Sequence, residues 1–169
     1  HAKGPYTKEA YETIEVLDGL IGKVWQSAIK ANKNAVVCIV SDHGFARYDK
    51  AVHINSALRE AGLIELDSQD KVKSWKAILW GSGAIMLNDP NDLAAKNKTA
   101  EVLKKLAANP ANGIAKIIDA DEAKKMGGFA GAAFVVFVKP GFNIGGSFTG
   151  DILRDTKVGG THGLWRDLP

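Results

Sequence analysis

The sequence predicts an α/β fold, and three observations carry that expectation. Residues 7–31 place Ala10, Ile14, Leu17, Ile21, Val24 and Ala28 at alternating spacings of four and three, the spacing of one helix face. Residues 35–40, Ala-Val-Val-Cys-Ile-Val, follow without a polar residue and are β-branched at four of six positions, as in a strand covered on both faces. A second apolar run fills residues 132–138. A helix followed by a buried strand is the alternation from which α/β sheets are built.

Each element can be justified in order. Pro5 upstream and the Asn-Lys-Asn cluster at 32–34 punctuate the long first helix. Cys38, the single cysteine, lies inside the first apolar run and is expected to be a buried thiol, with no partner for an internal disulfide. A short helix over 55–61 ends at Gly62, which accepts a left-handed cap at little cost. Residues 63–66, 77–80 and 84–87 read as short strands, antiparallel or peripheral. Leu93, Ala100, Leu103 and Leu106 mark a second amphipathic helix over 92–106 with lysines on its solvated side. Asp119 and Glu122 resemble a capping box for a short helix through Met126, stopped by Gly127-Gly128. After Pro140 the chain turns glycine-rich and aperiodic, which predicts a long irregular loop over 141–163, functional or mobile. No internal repeat or linker interrupts the chain.

Composition narrows the function classes. The chain has 169 residues, 46% of them hydrophobic, enough to bury a core as one domain and too many for a disordered or low-complexity segment. Its net charge of +3 is a small excess, so charge does not imply a nucleic-acid polymer as partner. The longest apolar stretch, 129–138, is far short of the roughly 20 residues of a membrane span. His1 opens the chain with no initiator Met and no charged-then-apolar leader, as in a processed, trimmed or interior piece.

Candidate chemistry sits at the glycine-flanked histidines. Ser41-Asp42-His43-Gly44 follows directly on the first apolar run, and in open α/β sheets ligands gather outside the carboxyl ends of strands. An Asp oxygen and a neutral His nitrogen suit a borderline cation such as zinc; the alternative is that Asp42 caps a turn and His43 packs against it. Thr161-His162-Gly163 repeats the pattern, with a flexible surface histidine as its rival reading. His1, in His1-Ala-Lys-Gly-Pro, is a third candidate against the alternative of a frayed terminus, and His53 reads as structural. HExxH, CxxC, GxxxxGK and GxSxG motifs are absent, and Gly81-Ser82-Gly83 lacks the rest of a dinucleotide fingerprint. A formal triad of Ser147, His162 and Asp42 has no nucleophile elbow to support it. Asn97-Lys98-Thr99 has the form of a glycosylation sequon on a predicted helix and decides nothing.

Three separated segments, in order, resemble one family. Val40-Ser-Asp-His-Gly-Phe45 is similar to the Ser-Asp-His-Gly strand end of the alkaline phosphatase superfamily, in particular of type I phosphodiesterases and nucleotide pyrophosphatases. His1-Ala-Lys-Gly-Pro5, with Tyr11 and Asp18-Gly-Leu-Ile-Gly22, resembles the end of that family's Asp-x-x-Gly-His-x-x-Gly-Pro segment and the helix after it. Gly160-Thr-His-Gly163 is similar to its late metal-binding histidine. The resemblance implies an alkaline-phosphatase-like fold: a mostly parallel central sheet flanked by helices, here incomplete, with a small peripheral antiparallel part. It implies two divalent metal ions, zinc in the family, with His1 and His162 on one and Asp42 and His43 on the other. Two cations roughly 4 Å apart stabilise attacking and leaving oxygens while a threonine hydroxyl attacks phosphorus.

The Asp before His1 and the family's threonine nucleophile are not in this chain, and none of Thr7, Thr13, Thr99, Thr149, Thr156 or Thr161 stands in the nucleophile's context. Residues 1–169 are therefore expected to be the carboxyl-terminal part of one catalytic domain, with about 67–130 a peripheral subregion, inactive alone, and able to dimerise where a strand is missing. Implied substrates are small-molecule phosphodiesters or nucleotides, and the family favours a periplasmic or extracellular parent. Trp75, Trp80, Phe142, Phe148 and Trp165 are candidates to stack on a base or to plug a small core. Competing expectations are a phosphonoacetate hydrolase or phosphoglycerate mutase type within the superfamily, a non-catalytic metal-binding module, and a nicotinamide-binding domain resting on fold pattern alone.

Overall fold

A computed structural model describes residues 1–165. It divides into two compact units, His1–Arg47 with Val158–His162, and Tyr48–Lys157 with residues 163–165.

The first unit is built on helix α1, Lys8–Ala31. Thr7 caps it, its hydroxyl accepting from Ala10 N at 3.3 Å, and Asn32 ends it in extended conformation. The helix forms where the apolar spacing places it, yet none of its residues is buried; Ile14, Leu17 and Val24 are more than half exposed. Residues 35–40 form no strand: Val36 is 94% exposed and Cys38 is exposed. This corrects both the buried strand and the buried thiol. A β-branched run becomes a strand when a neighbour supplies ladder partners and a surface to pack on, and among the described residues no strand lies beside this one.

The second unit holds the core. Most of strand β1 (Ala46–Val52) leads into helix α2 (Ile54–Glu60), which Gly62 ends at φ +71. Strands β2 (Ile64–Leu66) and β3 (Val72–Trp75) pair antiparallel. Strands β4 (Ala77–Trp80) and β5 (Ala84–Leu87) form where the sequence places them, joined by a turn at 81–83. In that turn Gly83 has φ +124, and a Cβ there would run into the carbonyl oxygen of Val136, so glycine is required. Helix α3 (Leu93–Ala108) is capped by Asp92, whose carboxylate accepts from Ala95 N at 2.8 Å. Strand β6 (Ile114–Asp119), which the apolar pattern did not announce, precedes helix α4 (Ala120–Lys125), and Asp119 caps α4 as expected by accepting from Glu122 N at 2.9 Å. Strand β7 (Phe134–Val138) is the second strong run.

The largest sheet has order β4-β5-β7-β6 and is antiparallel throughout. The sheets of this α/β chain are thus mostly antiparallel, where a mostly parallel central sheet was expected. For β4 and β5 the connection decides this, since a three-residue turn can join only antiparallel neighbours whereas a parallel pair needs a crossover of a dozen residues. Strand β1 pairs parallel with β8 (Gly141–Ile144), within the order β8-β1-β9. The glycine-rich segment 141–163 is consequently not one irregular loop: it contains β8 and the nine-residue β9 (Leu153–Thr161), with the loop confined to 145–152. Glycines hid these strands from the pattern.

Ile54, Leu58, Ile85, Leu103 and Val136 anchor the main core, and Ile118, Ala123, Val135 and Phe137 form a smaller one against Trp165. Trp165 meets Phe137 edge-on at 5.0 Å, so here it is a plug. Asn55 pins α2 to β4 by bracketing Leu79, donating to its carbonyl at 3.1 Å and accepting from its N–H at 2.8 Å.

Candidate metal centre

All four sequence-predicted ligands lie in the first unit. His1 reaches β9 by a short backbone ladder: Gly160 N donates to His1 O at 2.7 Å, and the His1 ring Nδ1 contacts Gly160 O at 3.2 Å. A carbonyl oxygen only accepts, so Nδ1 carries the hydrogen and Nε2 of the neutral ring keeps its lone pair. The Gly-rich motifs make this approach possible. Gly4 has φ +75, and a Cβ there would stand 3.0 Å from Gly159 O; a Cβ on Gly160 would collide with the Phe45 ring. Gly4, Gly159, Gly160 and Phe45 are positioning residues; the sequence motifs contain Gly4, Phe45 and Gly160 without assigning them that role, and the paired glycines before His162 were a visible signal.

Three imidazoles from opposite parts of the chain gather here. The rings of His43 and His162 stack at 3.8 Å and 16°, and His1 meets His162 edge-on at 5.5 Å. Phe45 touches the cluster through His1, 4.7 Å away. Asp42 Oδ2 lies 3.4 Å from His43 Nε2, its side chain 87% exposed. His43 Nδ1 contacts Gly44 O at 2.9 Å, so in the neutral ring the Nε2 lone pair faces the carboxylate oxygen. Two acceptors held face to face are relieved by a proton or a cation between them.

Zinc bonds of about 2.0–2.1 Å at a tetrahedral angle would put two ligand atoms about 3.4 Å apart. The spacing of Asp42 and His43 fits that requirement, and three imidazoles with one carboxylate are the right donor chemistry for zinc. The fit extends to that pair only: among the described residues no group of three or more His, Cys, Asp or Glu converges as a complete metal site.

The remaining candidates separate cleanly. His53 belongs to the second unit, where its Nδ1 accepts from Ser147 N at 3.1 Å and its ring occupies the space a side chain on Gly145 would need. Burial first, and the Arg154 charge second, hold its pKa below the ordinary value of 6.5. It is structural, as read from the sequence. Ser147 Oγ accepts from Arg154 at 3.2 Å and so serves to tie down the loop.

Comparison with known proteins now defines the class. The family model described as type I phosphodiesterase / nucleotide pyrophosphatase matches residues 1–165. This chain therefore belongs to the type I phosphodiesterase / nucleotide pyrophosphatase family, a family of phosphoric ester hydrolases. No curated protein and no solved structure matches it. Among the described residues no helix is long and apolar enough to cross a membrane.

Proposed function

We propose that this chain supplies part of the two-zinc centre of a phosphodiester or pyrophosphate hydrolase and is the carboxyl-terminal part of its catalytic domain. His1 and His162 would hold one ion, Asp42 and His43 the other. When bound, the two cations would neutralise the phosphoryl oxygens and ionise the attacking hydroxyl. That hydroxyl, from a threonine, and the remaining carboxylate ligands would be carried upstream of residue 1, so the chain alone would not turn over substrate. Substrates would be small-molecule phosphodiesters or nucleotides, and the parent would act in the periplasm or outside the cell.

The observation that carries this reading is the gathering of His1, His43 and His162, 161 positions apart at the extremes, into one cluster with Asp42 beside it. The chain's own part in the chemistry is orientation. The carbonyls of Gly160 and Gly44 would hold the Nδ1 hydrogens of His1 and His43, leaving each Nε2 lone pair for a metal. Asp42 adds the negative charge that favours a divalent cation over a proton.

Zinc titration of the chain against a chromophoric chelator tests the assignment. The wild-type chain is expected to bind zinc, with Asp42→Ala and His162→Ala each weakening it about tenfold or more and His53→Ala leaving it unchanged. Equal affinity in all four proteins would overturn it.

A further inference from the structure

A cleft of about 770 Å³ in the second unit, lined by none of the candidate metal ligands, lies between α3 and the glycine-rich loop that joins α4 to β7. Its size is that of a site for an organic ligand rather than for a simple ion. Two lysines line it, Lys96 from α3 and Lys124 from α4, and neither has an ion-pair partner among the described residues. Two carboxylates close to them in sequence are engaged elsewhere. Asp92, one helical turn before Lys96, caps α3 through Ala95 N, and Glu122 reaches Lys116 at 3.5 Å. A single carboxylate, Asp121, shares the wall and can accept from a ligand hydroxyl.

The loop adds uncharged donors. Residues 127–133 line the cleft continuously, and a turn closes them where Ala132 N donates to Phe129 O at 3.0 Å. The N–H groups of Phe129, Ala130 and Gly131 have no acceptor within the described chain. Gly127 and Gly131 take φ +76 and +78, and side chains on Gly127 and Gly128 would meet only open space, so backbone is what this wall offers a ligand. Phe129 itself stands at φ +58, a conformation rare for a bulky residue; the residue is 37% exposed, and its ring meets Phe137 edge-on at 5.9 Å. Free backbone N–H groups beside lysine ammoniums recognise a phosphate, and Phe129, which lines the same cleft as apolar Leu87 and Pro90, offers a ring to a flat apolar group.

We infer that this cleft binds a phosphomonoester carrying a planar aromatic group, of the size and chemistry of a nucleoside monophosphate. Lys96, Lys124 and the loop amides hold the phosphate, and Phe129 faces the ring system. The inference stands apart from the metal-centre reading, because every group it uses is in the second unit and none is a proposed metal ligand.

The test is an amide-resolved NMR titration of the 169-residue chain in excess chelator, with adenosine monophosphate, adenosine and inorganic phosphate as separate probes. The monophosphate is expected to shift the amides of residues 127–131 saturably, and to bind about tenfold or more tighter than either adenosine or phosphate. In Lys96→Ala/Lys124→Ala its affinity should fall about tenfold or more, from loss of two charge-assisted contacts, while amides outside the cleft keep their positions. No shift of these amides at millimolar monophosphate would overturn the site. Adenosine binding as tightly as the monophosphate, or unchanged affinity in the double variant, would overturn the phosphate assignment. Because the chelator removes any metal, failure here leaves the zinc titration unaffected, and the reverse also holds.

Discussion

The two units spend the same kind of residues in opposite ways. In the second, Leu58, Ile85, Val136 and their neighbours are sealed in a core closed by four antiparallel strands and two helices. In the first, a 24-residue helix and a six-residue apolar run carry comparable hydrophobicity, yet only Gly4, Gly159 and Gly160 are buried among its described residues. An apolar pattern states that a face suits burial; whether it is buried depends on what packs there. The candidate metal ligands sit in the unit where that packing is thin, and the stable scaffold lies in the other.

Core substitutions should break the symmetry between the units most sharply. Leu58→Ala, at a fully buried position, is expected to cost about 2–5 kcal/mol in urea unfolding, whereas Leu17→Ala on the exposed face of α1 should stay within about 0.5 kcal/mol. Comparable losses would show that α1 is covered in solution. Next in size is the turn between β4 and β5. Gly83→Ala forces both a disallowed φ and a clash with the Val136 carbonyl, and should cost about 1–3 kcal/mol, while Gly44→Ala, with nothing near, should leave the unfolding midpoint in place.

A pH effect sharpens the comparison further. Burial and then Arg154 hold the His53 imidazole below 6.5, so the unfolded chain takes up that proton at a higher pH than the folded chain. Stability is full above about 6.5 and falls as pH drops from there through the lowered folded value. Protonation would also cost Nδ1 its role as acceptor from Ser147 N. Unfolding midpoints at pH 7.5 and 5.5 should therefore differ less in His53→Gln than in the wild type. The smallest effect is expected at Lys50 and Asp155. Their ion pair, at 2.7 Å, is solvent-screened, and Lys50→Ala should not move the midpoint measurably.

Sequence reading succeeded where short-range rules decide the outcome. Asp119 caps α4 through its own side chain as the Asp119–Glu122 pattern announced, and β4 and β5 stand at the expected residues. It failed where partners distant in the chain decide. Residues 35–40 have strand composition but no neighbouring strand among the described residues, and β8 and β9 were hidden by glycines whose role is close approach, as at Gly160 against Phe45. The sheet's antiparallel sense was likewise invisible in any single segment. At the candidate site, Asp42, His43, His162 and His1 were legible as ordered motifs, while the positioning role of Gly159, Gly160 and Phe45 was not, because only the third dimension brings them to His1.

The central claim is that this chain's ligand cluster serves metal-dependent cleavage of a phosphodiester. Its most direct test is zinc-dependent hydrolysis of bis(p-nitrophenyl) phosphate by a polypeptide carrying this chain together with the upstream segment the proposal requires, beside its Asp42→Ala and His53→Ala variants. The account predicts turnover in the longer polypeptide, a loss of several orders of magnitude in Asp42→Ala, and near-normal rates in His53→Ala. Turnover that survives Asp42→Ala, or none in the unmodified polypeptide, would contradict it.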